Sequence, residues 1–494
     1  MTTVSRRLES WMFIAVTLAA AVWRYGATTA DRDLWGHIRF GQDKIAAGGY
    51  LSTDTYSYLT EGQTWFNHEW LGEVAMAALY DGGGVAALVV VKGLLSVGIS
   101  GFIVWWVIRA GLEPIRAALL GLLAVVALTP TFGTFRPQML TVFLFVVMLV
   151  LILGVEGGRS WLLWVVPPLF ALWVNVHGGV IAGLAVLVAW AVLHAIAGEG
   201  RARWFPLLSA LGALAATGVH PLGYEHLWFL IRTTTVPRPE IQDWQPVAIG
   251  SVVGVVYLIL VLLLALALWA RRRKVRISVA LPLAALAVAP LLSVRHLQLF
   301  VPALFLLGAP YLVALGRRER EASATSTPGV VAFIVVLVAV SLVSGITMNR
   351  AVGCIEVDAA QFEFPVRAVH AVAGMEGEAI VPFNWGEYII WHAGPGLQVS
   401  IDGRRETVYP DDVLQANLDF VNAEGDWERL LEMGSPDLVI VPTLAPVVGL
   451  LDGHRGWRIA YQDPIASILA RIPSGSLRGD GTLPVDGDGL CFPA

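Results

Sequence analysis

The amino-acid sequence predicts a polytopic α-helical membrane protein with a C-terminal extracytoplasmic α/β domain. Of its 494 residues, 56% are hydrophobic and only 14% are charged, and the mean hydropathy is +0.68. Soluble globular chains carry charges at about a quarter of their positions, so this composition excludes an ordinary soluble protein. Apolar runs of about 20 residues, the length that crosses a bilayer, recur up to residue 348, and charged residues return after it.

The charge and the cysteine content exclude several classes of function. The net charge is -5 and the sequence contains no long block of Lys and Arg, so there is no electrostatic basis for binding nucleic acid. Two cysteines are too few for a disulfide scaffold, an iron–sulfur protein or a cysteine-rich zinc site.

Eleven apolar runs before residue 348 predict about eleven transmembrane helices. The third, fifth and seventh runs are short enough to be tilted or partly buried in protein. The predicted helices cover residues 11–28, 83–108, 117–131, 137–155, 160–176, 178–197, 205–219, 248–270, 277–293, 297–316 and 328–347.

Every second loop is basic, and this alternation sets the orientation because short cytoplasmic loops retain Lys and Arg. We therefore expect the N-terminus in the cytoplasm and, after an odd number of spans, residues 348–494 outside. The first span shows no small-residue cleavage site and is interpreted as a retained anchor. The basic residues are Arg6, Arg7, Arg109, Arg116, Arg159, Arg201, Arg203, Arg271, Arg272, Arg273, Lys274, Arg276, Arg317, Arg318 and Arg320.

These observations assign residues 1–347 to a transmembrane domain with an external loop at 29–82, and residues 348–494 to an extracytoplasmic α/β domain. Hydrophobic patterns in the tail predict alternating helices and strands. The tail contains no GxGxxG or P-loop motif, so nucleotide binding is not supported. Helices are expected at 364–374, 412–422 and 427–433, and strands at 379–383, 398–402, 437–442, 457–461 and 467–472.

Cys354 and Cys491 lie at the start and near the end of the predicted tail domain. Outside the cytoplasm they can form a disulfide that ties down the C-terminus, or they can remain two unpaired thiols. Both alternatives are open at this point.

The first external loop is acidic and aromatic at once. It begins with Asp31-Arg32-Asp33-Leu34-Trp35-Gly36-His37, contains Asp54-Thr55-Tyr56-Ser57-Tyr58, and closes with Trp65-Phe66-Asn67-His68-Glu69-Trp70. Apolar residues recur at helical spacing, which predicts amphipathic helices lying on the membrane surface. The loop is therefore expected to be folded and rich in titratable groups.

Asp33 and Asp31 are the candidate catalytic residues. On a helix Asp33 and His37 share a face, whereas Asp31 and Asp33 point in different directions, so one carboxylate is expected at a site and the other in a structural role. A carboxylate in a partly dehydrated pocket has a raised pKa and can accept a proton from a hydroxyl nucleophile. For Asp31, N-capping of the following helix is an equal alternative.

A second set of polar residues lies where the predicted spans meet the outer face. Arg136 and Arg295 are candidates for binding a phosphate, because a guanidinium grips phosphate in bidentate fashion. The alternative for each arginine is a snorkelling anchor at the interface. Lys92, inside the second span, is explained equally by snorkelling or by an internal ion pair. The other candidate donor- or phosphate-binding residues are His177, His296, His68 and Glu69.

Carboxylates of the loop are expected to face the arginines at the outer helix ends. Such a site suits an anionic lipid headgroup and a proton-abstracting base, and hence transfer of a group from a phosphate leaving group. Two other classes stay open. One is a transporter or flippase for a lipid-linked glycan, and the other is a membrane-anchored scaffold or sensor with an external domain.

This arrangement resembles the GT-C superfamily of membrane glycosyltransferases, which includes protein O-mannosyltransferases, aminoarabinose transferases and oligosaccharyltransferases. More narrowly, it is similar to a poorly characterised bacterial branch of that superfamily. The resemblance covers nearly the whole chain. Its motifs are the Asp31-x-Asp33-Leu34-Trp35-x-His37 run, Asp54-Thr55-Tyr56-Ser57-Tyr58, His68-Glu69-Trp70-Leu71, Arg136-Pro137-Gln138, His177-Gly178-Gly179, Gly386-Glu387-Tyr388 and Ile401-Asp402-Gly403-Arg404.

The resemblance implies a multi-pass protein of the bacterial plasma (inner) membrane with an external active site. It implies a polyprenyl-phosphate-linked sugar as donor, a cell-envelope glycan, lipid or protein as acceptor, and hexosyl or pentosyl transfer with inversion at the anomeric carbon. The acidic motif maps onto Asp31 and Asp33. This chain has Asp-Arg-Asp where the O-mannosyltransferases have Asp-Glu, which leaves the identity of the base open.

Some members of the superfamily need a divalent metal and others do not. A Mg²⁺ or Mn²⁺ ion is therefore a candidate cofactor, with Asp31, Asp33 and His68 as candidate ligands whose spacing is not diagnostic. In the tail, Asp402 and Arg404 are expected either to pair with each other in a structural turn or to contact a sugar.

Overall fold

The computed structural model describes residues 3–234, 236–315, 352–357, 364–471 and 490–493. The chain divides into two compact units. The helical unit comprises residues 1–28 and 83–354, and the mixed unit comprises residues 29–82 and 355–494. The loop at 29–82 thus forms one unit with the C-terminal part of the chain, whereas the sequence analysis assigned it to the transmembrane domain.

The helical unit contains a helix in each of the first ten predicted apolar runs. The eleventh run, 328–347, lies outside the described residues. The α-helices are Thr3–Gly26, Trp70–Arg109, Pro114–Ala127, Thr129–Phe132, Gln138–Glu156, Val166–Val176, Val180–Ala197, Phe205–Ala216, Gly223–Thr233, Val252–Ala270, Ile277–Val288, Leu297–Leu306 and Ala309–Leu312. Short 3₁₀ helices cover Ser160–Trp164, Arg201–Trp204, Thr217–Val219, Gln242–Trp244, Arg272–Lys274, Ala289–Leu291, Val294–His296 and Val313–Leu315.

Five described helices are long and apolar enough to cross a membrane. A sixth span is possible if Val294–Leu306 and Ala309–Leu315, which are bent by 59° relative to each other, form one broken span. The described chain is that of a multi-pass membrane protein, and the count of eleven spans stays a prediction. The five helices are Trp70–Arg109, Gln138–Glu156, Val180–Ala197, Arg201–Val219 and Val252–Ala270.

The helix Trp70–Arg109 is interrupted at Gly84, whose backbone is non-helical with φ 59° and ψ -154°. Glycine adopts a positive φ without the steric cost that a side chain would add. The interruption falls next to the start of the second predicted span at residue 83 and next to the boundary between the two units.

Lys92 is almost completely buried inside the helical unit, at 1% exposure. Its ammonium donates to the backbone oxygens of Tyr25 (2.8 Å), Ala27 (3.3 Å) and Gly133 (3.2 Å), and to the Thr28 hydroxyl at 2.8 Å. The last carbonyls of a helix have no partner within it, and a cation there satisfies them. Lys92 is therefore neither snorkelling nor held by a carboxylate, contrary to both sequence-based interpretations.

The mixed unit is built on a five-stranded sheet in the order β2-β1-β3-β5-β4. Strands β1, β2 and β3 are parallel, and β5 runs antiparallel to both β3 and β4. The strands are β1 Gly377–Ile380, β2 Leu397–Val399, β3 Leu438–Pro442, β4 Arg458–Gln462 and β5 Ala466–Ala470. The helices are Leu34–Ala47, Val366–Val372, Phe383–Ala393, Asp411–Asn422, Arg429–Glu432 and Pro446–Leu451, with 3₁₀ helices at Arg405–Thr407 and His454–Gly456.

All eight elements predicted in the tail have a counterpart whose bounds overlap the prediction. Two helices, Phe383–Ala393 and Pro446–Leu451, were not predicted. The first of these contains Trp-Gly-Glu-Tyr and is buried on most of its faces, so its apolar residues do not show a clear helical stripe.

The loop of residues 29–82 joins the sheet through backbone hydrogen bonds at its edge. The Tyr58 N–H donates to Val399 O (3.2 Å), and the Val399 N–H donates to Tyr56 O (3.2 Å), so the loop extends β2 by one short pairing. The Phe66 N–H donates to Thr407 O at 2.9 Å. The two bonds with Val399 satisfy backbone groups that an edge strand leaves unpaired, and the third bond ties the loop to the 3₁₀ helix Arg405–Thr407.

The helix Leu34–Ala47 packs inside the mixed unit. Its residues Leu34 and Ile38 are at most 1% exposed, and the Trp35 ring lies 4.9 Å from the Tyr388 ring of the helix Phe383–Ala393. The prediction that this apolar face lies on the membrane surface is therefore wrong for Leu34 and Ile38, which other parts of the protein cover, whereas Ile45 is 45% exposed. The helix ends at Gly48, which adopts a left-handed φ of 72° and donates its N–H to Ile45 O.

The C-terminal segment 490–493 also packs into the mixed unit. The Phe492 N–H donates to Ile355 O (2.8 Å), and the Trp35 indole N–H donates to Pro493 O (3.1 Å). Both Cys354 and Cys491 are disulfide-bonded, so the alternative of two unpaired thiols is excluded.

Candidate active site

Asp31 and Asp33 lie where the chain enters the helix Leu34–Ala47. The Asp31 side chain is buried, and its Oδ1 accepts a hydrogen bond from the Asp33 N–H at 2.9 Å. This bond closes an Asx-type turn just before the helix, whose N-cap residue is Asp33 and not Asp31 as the N-capping alternative required. Asp33 is half-buried, and its side chain makes no capping hydrogen bond to the helix. The two carboxylates therefore occupy different environments, although both precede the helix on which the spacing argument placed them.

Glu387 lies against two glycines that belong to different motifs. A methyl group on Gly36 would overlap the Glu387 carboxyl. A methyl group on Gly403 would lie 2.7 Å from Glu387 Oε1 and 2.9 Å from Asp33 Oδ1. The Glu387 and Asp33 carboxyl groups thus both face Gly403, and neither glycine has room for a side chain unless they move.

A third glycine, Gly386, lies next to the same turn. A methyl group on Gly386 would meet the backbone of Ile401 and Asp402 at 2.6 Å or less. The helix Phe383–Ala393 therefore approaches the turn 401–404 at backbone distance. Three motifs that are far apart in the sequence, beginning at Asp31, Gly386 and Ile401, meet in one place within the mixed unit.

Glu387 is 4% exposed, and its Oε2 is a buried atom without a hydrogen-bond partner among the described residues. Burial raises the pKa of Glu387 well above its usual range, and the negative charges of Asp33, Asp402 and Glu73 raise it further, while the Arg404 guanidinium lowers it. The sequence predicted a carboxyl with a raised pKa in the loop. The structure shows one in the tail, next to Asp33.

Asp402 and Arg404 form a buried ion pair. Arg404 Nε and Nη2 donate to the Asp402 carboxylate at 2.9 Å and 2.7 Å, and the Tyr409 hydroxyl donates to the same carboxylate at 2.8 Å. The Asp54 carboxylate approaches Arg404 Nη1 at 2.7 Å as an ion pair. Pairing was one of the two alternatives predicted for these residues, and the pair shapes the turn that carries Gly403.

The Arg404 guanidinium is surrounded by aromatic rings as well as carboxylates. Its central carbon lies 4.7 Å from the Trp65 ring centroid and 5.0 Å from those of Phe40 and Tyr56. A desolvated guanidinium over aromatic faces gains cation–π energy, which partly offsets its burial. Arg404 therefore ties the first loop to the turn that holds Asp402.

His68 and Glu69 belong to a second polar cluster of the mixed unit. His68 Nε2 lies 2.8 Å from Glu69 Oε1, and Glu69 Oε2 lies 3.7 Å from His37 Nε2. His37 Nδ1 lies 3.6 Å from Glu73 Oε1. Burial lowers the pKa of His37, but the charges of Glu73, Glu69 and Asp33 outweigh it and raise the pKa to about 9. The contacts of His37 with Glu69 and Glu73 hold the helix Leu34–Ala47, which begins directly after Asp33.

Arg136 and Arg295 both contact the short helix Gln242–Trp244 in the helical unit. Arg136 Nη1 lies 3.5 Å from Asp243 Oδ2, and the Arg295 guanidinium lies 4.7 Å from the Trp244 ring. Arg295 also donates to Gln138 at 3.3 Å. A cleft of about 330 Å³ is lined by Gln242, which precedes Asp243 in the chain, and by Val294, which precedes Arg295. The two arginines thus lie at one place in this unit, and their role in binding a phosphate stays a prediction.

His177 and His296, also in the helical unit, contact their own turns. His177 Nδ1 accepts from the Gly179 N–H (2.8 Å) and lies 2.9 Å from the Thr141 hydroxyl. His296 Nδ1 lies 3.1 Å from the backbone oxygens of both Ala289 and Ser293. In both residues Nδ1 is used by the fold, so a role in donor binding stays a prediction that would have to use Nε2.

The candidate metal ligands Asp31, Asp33 and His68 are not brought together. Among the described residues, no group of three His, Cys, Asp or Glu side chains could hold a metal ion. The residues do not fit the predicted Mg²⁺ or Mn²⁺ site, and we derive no step through a metal.

Glu387 belongs to the Gly386-Glu387-Tyr388 motif, but it was not predicted as a residue of the site. One signal was available. The run Phe383–Ala393 is largely apolar apart from Glu387. A carboxyl is seldom buried in such a run, because burying its charged form is costly, so a carboxyl at this position indicates a functional role.

Comparison with solved structures places this geometry in a known fold. ArnT from Cupriavidus metallidurans bound to undecaprenyl phosphate superposes with a TM-score of 0.54 at 14% identity, covering 95% of this chain and 99% of that one. The Archaeoglobus fulgidus oligosaccharyltransferase in complex with Zn and sulfate gives 0.51 at 12% identity, covering 87% and 68%. The chain has the fold of these two proteins, the GT-C fold. The fold expected from the resemblance is confirmed.

The GT-C fold is also shared with arabinofuranosyltransferase AftD from Mycobacteria. A mutant of that enzyme gives a TM-score of 0.50 at 17% identity, covering 95% of this chain and 42% of that one. This chain therefore spans about two fifths of the length of that enzyme. No protein-family model and no curated protein matches the sequence.

Proposed function

We propose that this protein is an integral membrane glycosyltransferase that transfers a hexosyl or pentosyl group from a polyprenyl-phosphate-linked donor to a cell-envelope glycan, lipid or protein. The observation that carries the proposal is the half-buried Asp33 carboxylate beside a second buried carboxyl, Glu387, in a chain of GT-C fold. The binding of undecaprenyl phosphate by ArnT, which shares the fold at full length, supports a lipid phosphate as the donor's carrier.

Asp33 is proposed as the general base. An acceptor hydroxyl oxygen attacks the anomeric carbon of the donor, and Asp33 takes the hydroxyl proton. The bond from the anomeric carbon to the phosphate oxygen breaks, and the polyprenyl phosphate leaves with the bonding electrons. Attack opposite the leaving group inverts the anomeric carbon. Asp31 would act through Asp33, because its carboxylate holds the Asp33 N–H.

Arg136 and Arg295 are proposed to bind the phosphate of the donor. Both guanidinium groups lie at the helix Gln242–Trp244, where Arg136 pairs with the partly exposed Asp243 carboxylate at 3.5 Å. A phosphate would offer the same charge with more oxygen acceptors. A guanidinium placed there would stabilise the charge that develops on the leaving group.

The proposed setting is the bacterial plasma (inner) membrane, with a cytoplasmic N-terminus and the acidic loop and tail outside. This orientation rests on the alternation of basic loops along the sequence. The proposed topology has about eleven spans. Within the described chain, five helices, or six with the bent pair, are long and apolar enough to cross a membrane.

The proposal is tested by release of undecaprenyl phosphate from a panel of synthetic undecaprenyl-phosphate hexoses and pentoses, incubated with the purified protein and cell-envelope extract. We expect Asp33→Asn to abolish release while insertion into the membrane is unchanged. Asp411→Asn is the matched control, because Asp411 is an exposed acid of the same unit. Full activity of Asp33→Asn would remove Asp33 as the base. Movement of intact donor across vesicles without cleavage would instead support a flippase.

A further inference from the structure

The Glu387 carboxyl has no role in the proton transfer proposed above, although it lies beside the proposed base. Its Oε1 and Asp33 Oδ1 lie 2.7 Å and 2.9 Å from a single point, the position of a Cβ on Gly403. The two oxygens are therefore no further apart than the sum of these distances. Two carboxyl groups this close do not both ionise readily.

We propose that Glu387 is a positioning residue that keeps a proton, and that its neutral carboxyl orients the Asp33 carboxylate and keeps it ionised as the base. The inference rests on the proposed function, because it assigns a partner to the same site.

The proton belongs on Glu387 rather than on Asp33 because the two groups differ in burial. Glu387 is 4% exposed and its Oε2 has no hydrogen-bond partner in the part of the chain that the structure describes, whereas Asp33 is half-buried. A buried carboxylate without a partner is among the most costly groups in a protein interior, and a proton removes that cost. Burial also raises the pKa of Glu387 well above its usual range.

The charged groups around Glu387 favour the same assignment. Asp33 at the start of the helix Leu34–Ala47, Asp402 in the turn after β2, and Glu73 at the start of the helix Trp70–Arg109 all oppose its ionisation. Arg404 alone among these groups favours it. That arginine is already held by Asp402 and Asp54, at 2.7 Å each.

Protonated Glu387 carries an O–H that would donate a hydrogen bond to the Asp33 carboxylate. The position of the Glu387 carboxyl is closely restricted, because Gly36 and Gly403 leave no space on either side of it. A rigid neutral donor beside Asp33 would hold that carboxylate in one rotamer and lower the cost of its charge. Loss of the Glu387 proton at high pH would instead place a second negative charge next to the base.

The experiment compares the pH dependence of kcat/KM for wild type, Glu387→Gln and Glu387→Ala in the full-length protein, with the donor that wild type cleaves. We expect wild type to lose activity on the alkaline side as Glu387 ionises. The Gln side chain stays neutral and keeps a hydrogen-bond donor, its amide N–H. Glu387→Gln should therefore retain activity within about threefold and lack this alkaline loss. Glu387→Ala removes the hydrogen bond and should lower kcat about tenfold or more. Glu424→Gln, at an exposed site, is the control with an unchanged profile.

A second measurement needs no activity. Infrared spectra of wild type at neutral pH should contain a carbonyl stretch of a protonated carboxylic acid that is missing in Glu387→Gln. The proposal is overturned if this band is absent, if Glu387→Gln keeps the wild-type alkaline loss, or if Glu387→Gln is as inactive as Asp33→Asn. If wild type cleaves no donor, the proposed function fails, while the infrared band still decides whether Glu387 holds a proton.

Discussion

The Lys44 ammonium lies 2.8 Å from the Glu73 carboxylate, and both side chains are almost completely buried in the mixed unit. Asn67 donates to the same carboxylate at 2.6 Å. The Lys44 ammonium also lies 4.1 Å from the centroid of the Trp65 ring. This pair joins the helix Leu34–Ala47 to the start of the helix Trp70–Arg109, so it holds together the two ends of the first loop.

Removing one member of the Lys44–Glu73 pair is expected to destabilise the mixed unit strongly. Lys44→Met would remove the closer of the two cations at the buried Glu73 carboxylate and leave protonated His37 at 3.6 Å, and breaking a buried ion pair costs up to about 3–5 kcal/mol. The double variant Lys44→Met/Glu73→Gln leaves no bare charge and should be less destabilised than Lys44→Met. The midpoint of thermal unfolding in detergent, followed by tryptophan fluorescence, measures both.

Arg39→Ala is the control for that comparison. Arg39 pairs with Asp43 at 2.9 Å, but both side chains are close to one-third exposed. Such pairs contribute about 1 kcal/mol or less, so Arg39→Ala should shift the midpoint little. A double variant as unstable as Lys44→Met would show that packing, rather than charge, dominates at this site.

Gly36→Ala is expected to impair transfer more than stability. The added methyl group meets the end of the Glu387 side chain, which must move away from Gly403 and Asp33. Overpacking of this kind costs about 1–3 kcal/mol, and the better helix propensity of Ala offsets part of it. The displaced carboxyl no longer supports Asp33, so kcat should fall while the protein stays folded.

Gly49→Ala is the matched control for Gly36→Ala. A methyl group on Gly49 meets no atom within 4 Å, so both kcat and the unfolding midpoint should stay near wild type. Equal activity of Gly36→Ala and Gly49→Ala would mean that the position of Glu387 does not matter for transfer.

His37 is expected to make the stability of the mixed unit depend on pH. The carboxylates around it raise its pKa to about 9 in the folded protein, above the value of about 6.5 for an unfolded chain. The stabilisation by protonated His37 is therefore fully present below about pH 6.5 and is lost as pH rises through about 9, amounting to about 3 kcal/mol at most.

The unfolding midpoint measured from pH 6 to pH 10 checks this prediction. His37→Gln should show a smaller decline over that range than wild type, because Gln does not titrate. The exposed His370 provides a control, and His370→Gln should keep the wild-type decline. Parallel curves for wild type and His37→Gln would show that His37 is not charged in the fold.

The local properties of this chain could be predicted because each depends on neighbouring residues. An apolar run has the length of a span wherever it lies, and ten of the eleven predicted runs coincide with described helices. The elements of the tail follow from hydrophobic spacing in the same way. Asp402 and Arg404, two residues apart, were expected either to pair or to contact a sugar, and they pair at 2.7 Å.

The contacts between distant segments could not be predicted from one sequence. Nothing in the residues near Asp33 indicates that Glu387 and Gly403, more than 350 positions later, lie beside it. The helix Leu34–Ala47 has an apolar face that suits a membrane surface and a protein interior equally, since both exclude water.

Amino-acid composition and local pattern by themselves determined that this is a multi-pass membrane protein, that its first loop is folded and acidic, and where most of its helices and strands lie. Tertiary structure decided which carboxyls share a site. Three kinds of contact bring the loop and the tail together: the backbone hydrogen bonds at the edge of β2, the aromatic rings around Arg404, and the close packing at Gly36, Gly386 and Gly403. Such contacts depend on the shapes of both partners, and no single segment contains that information.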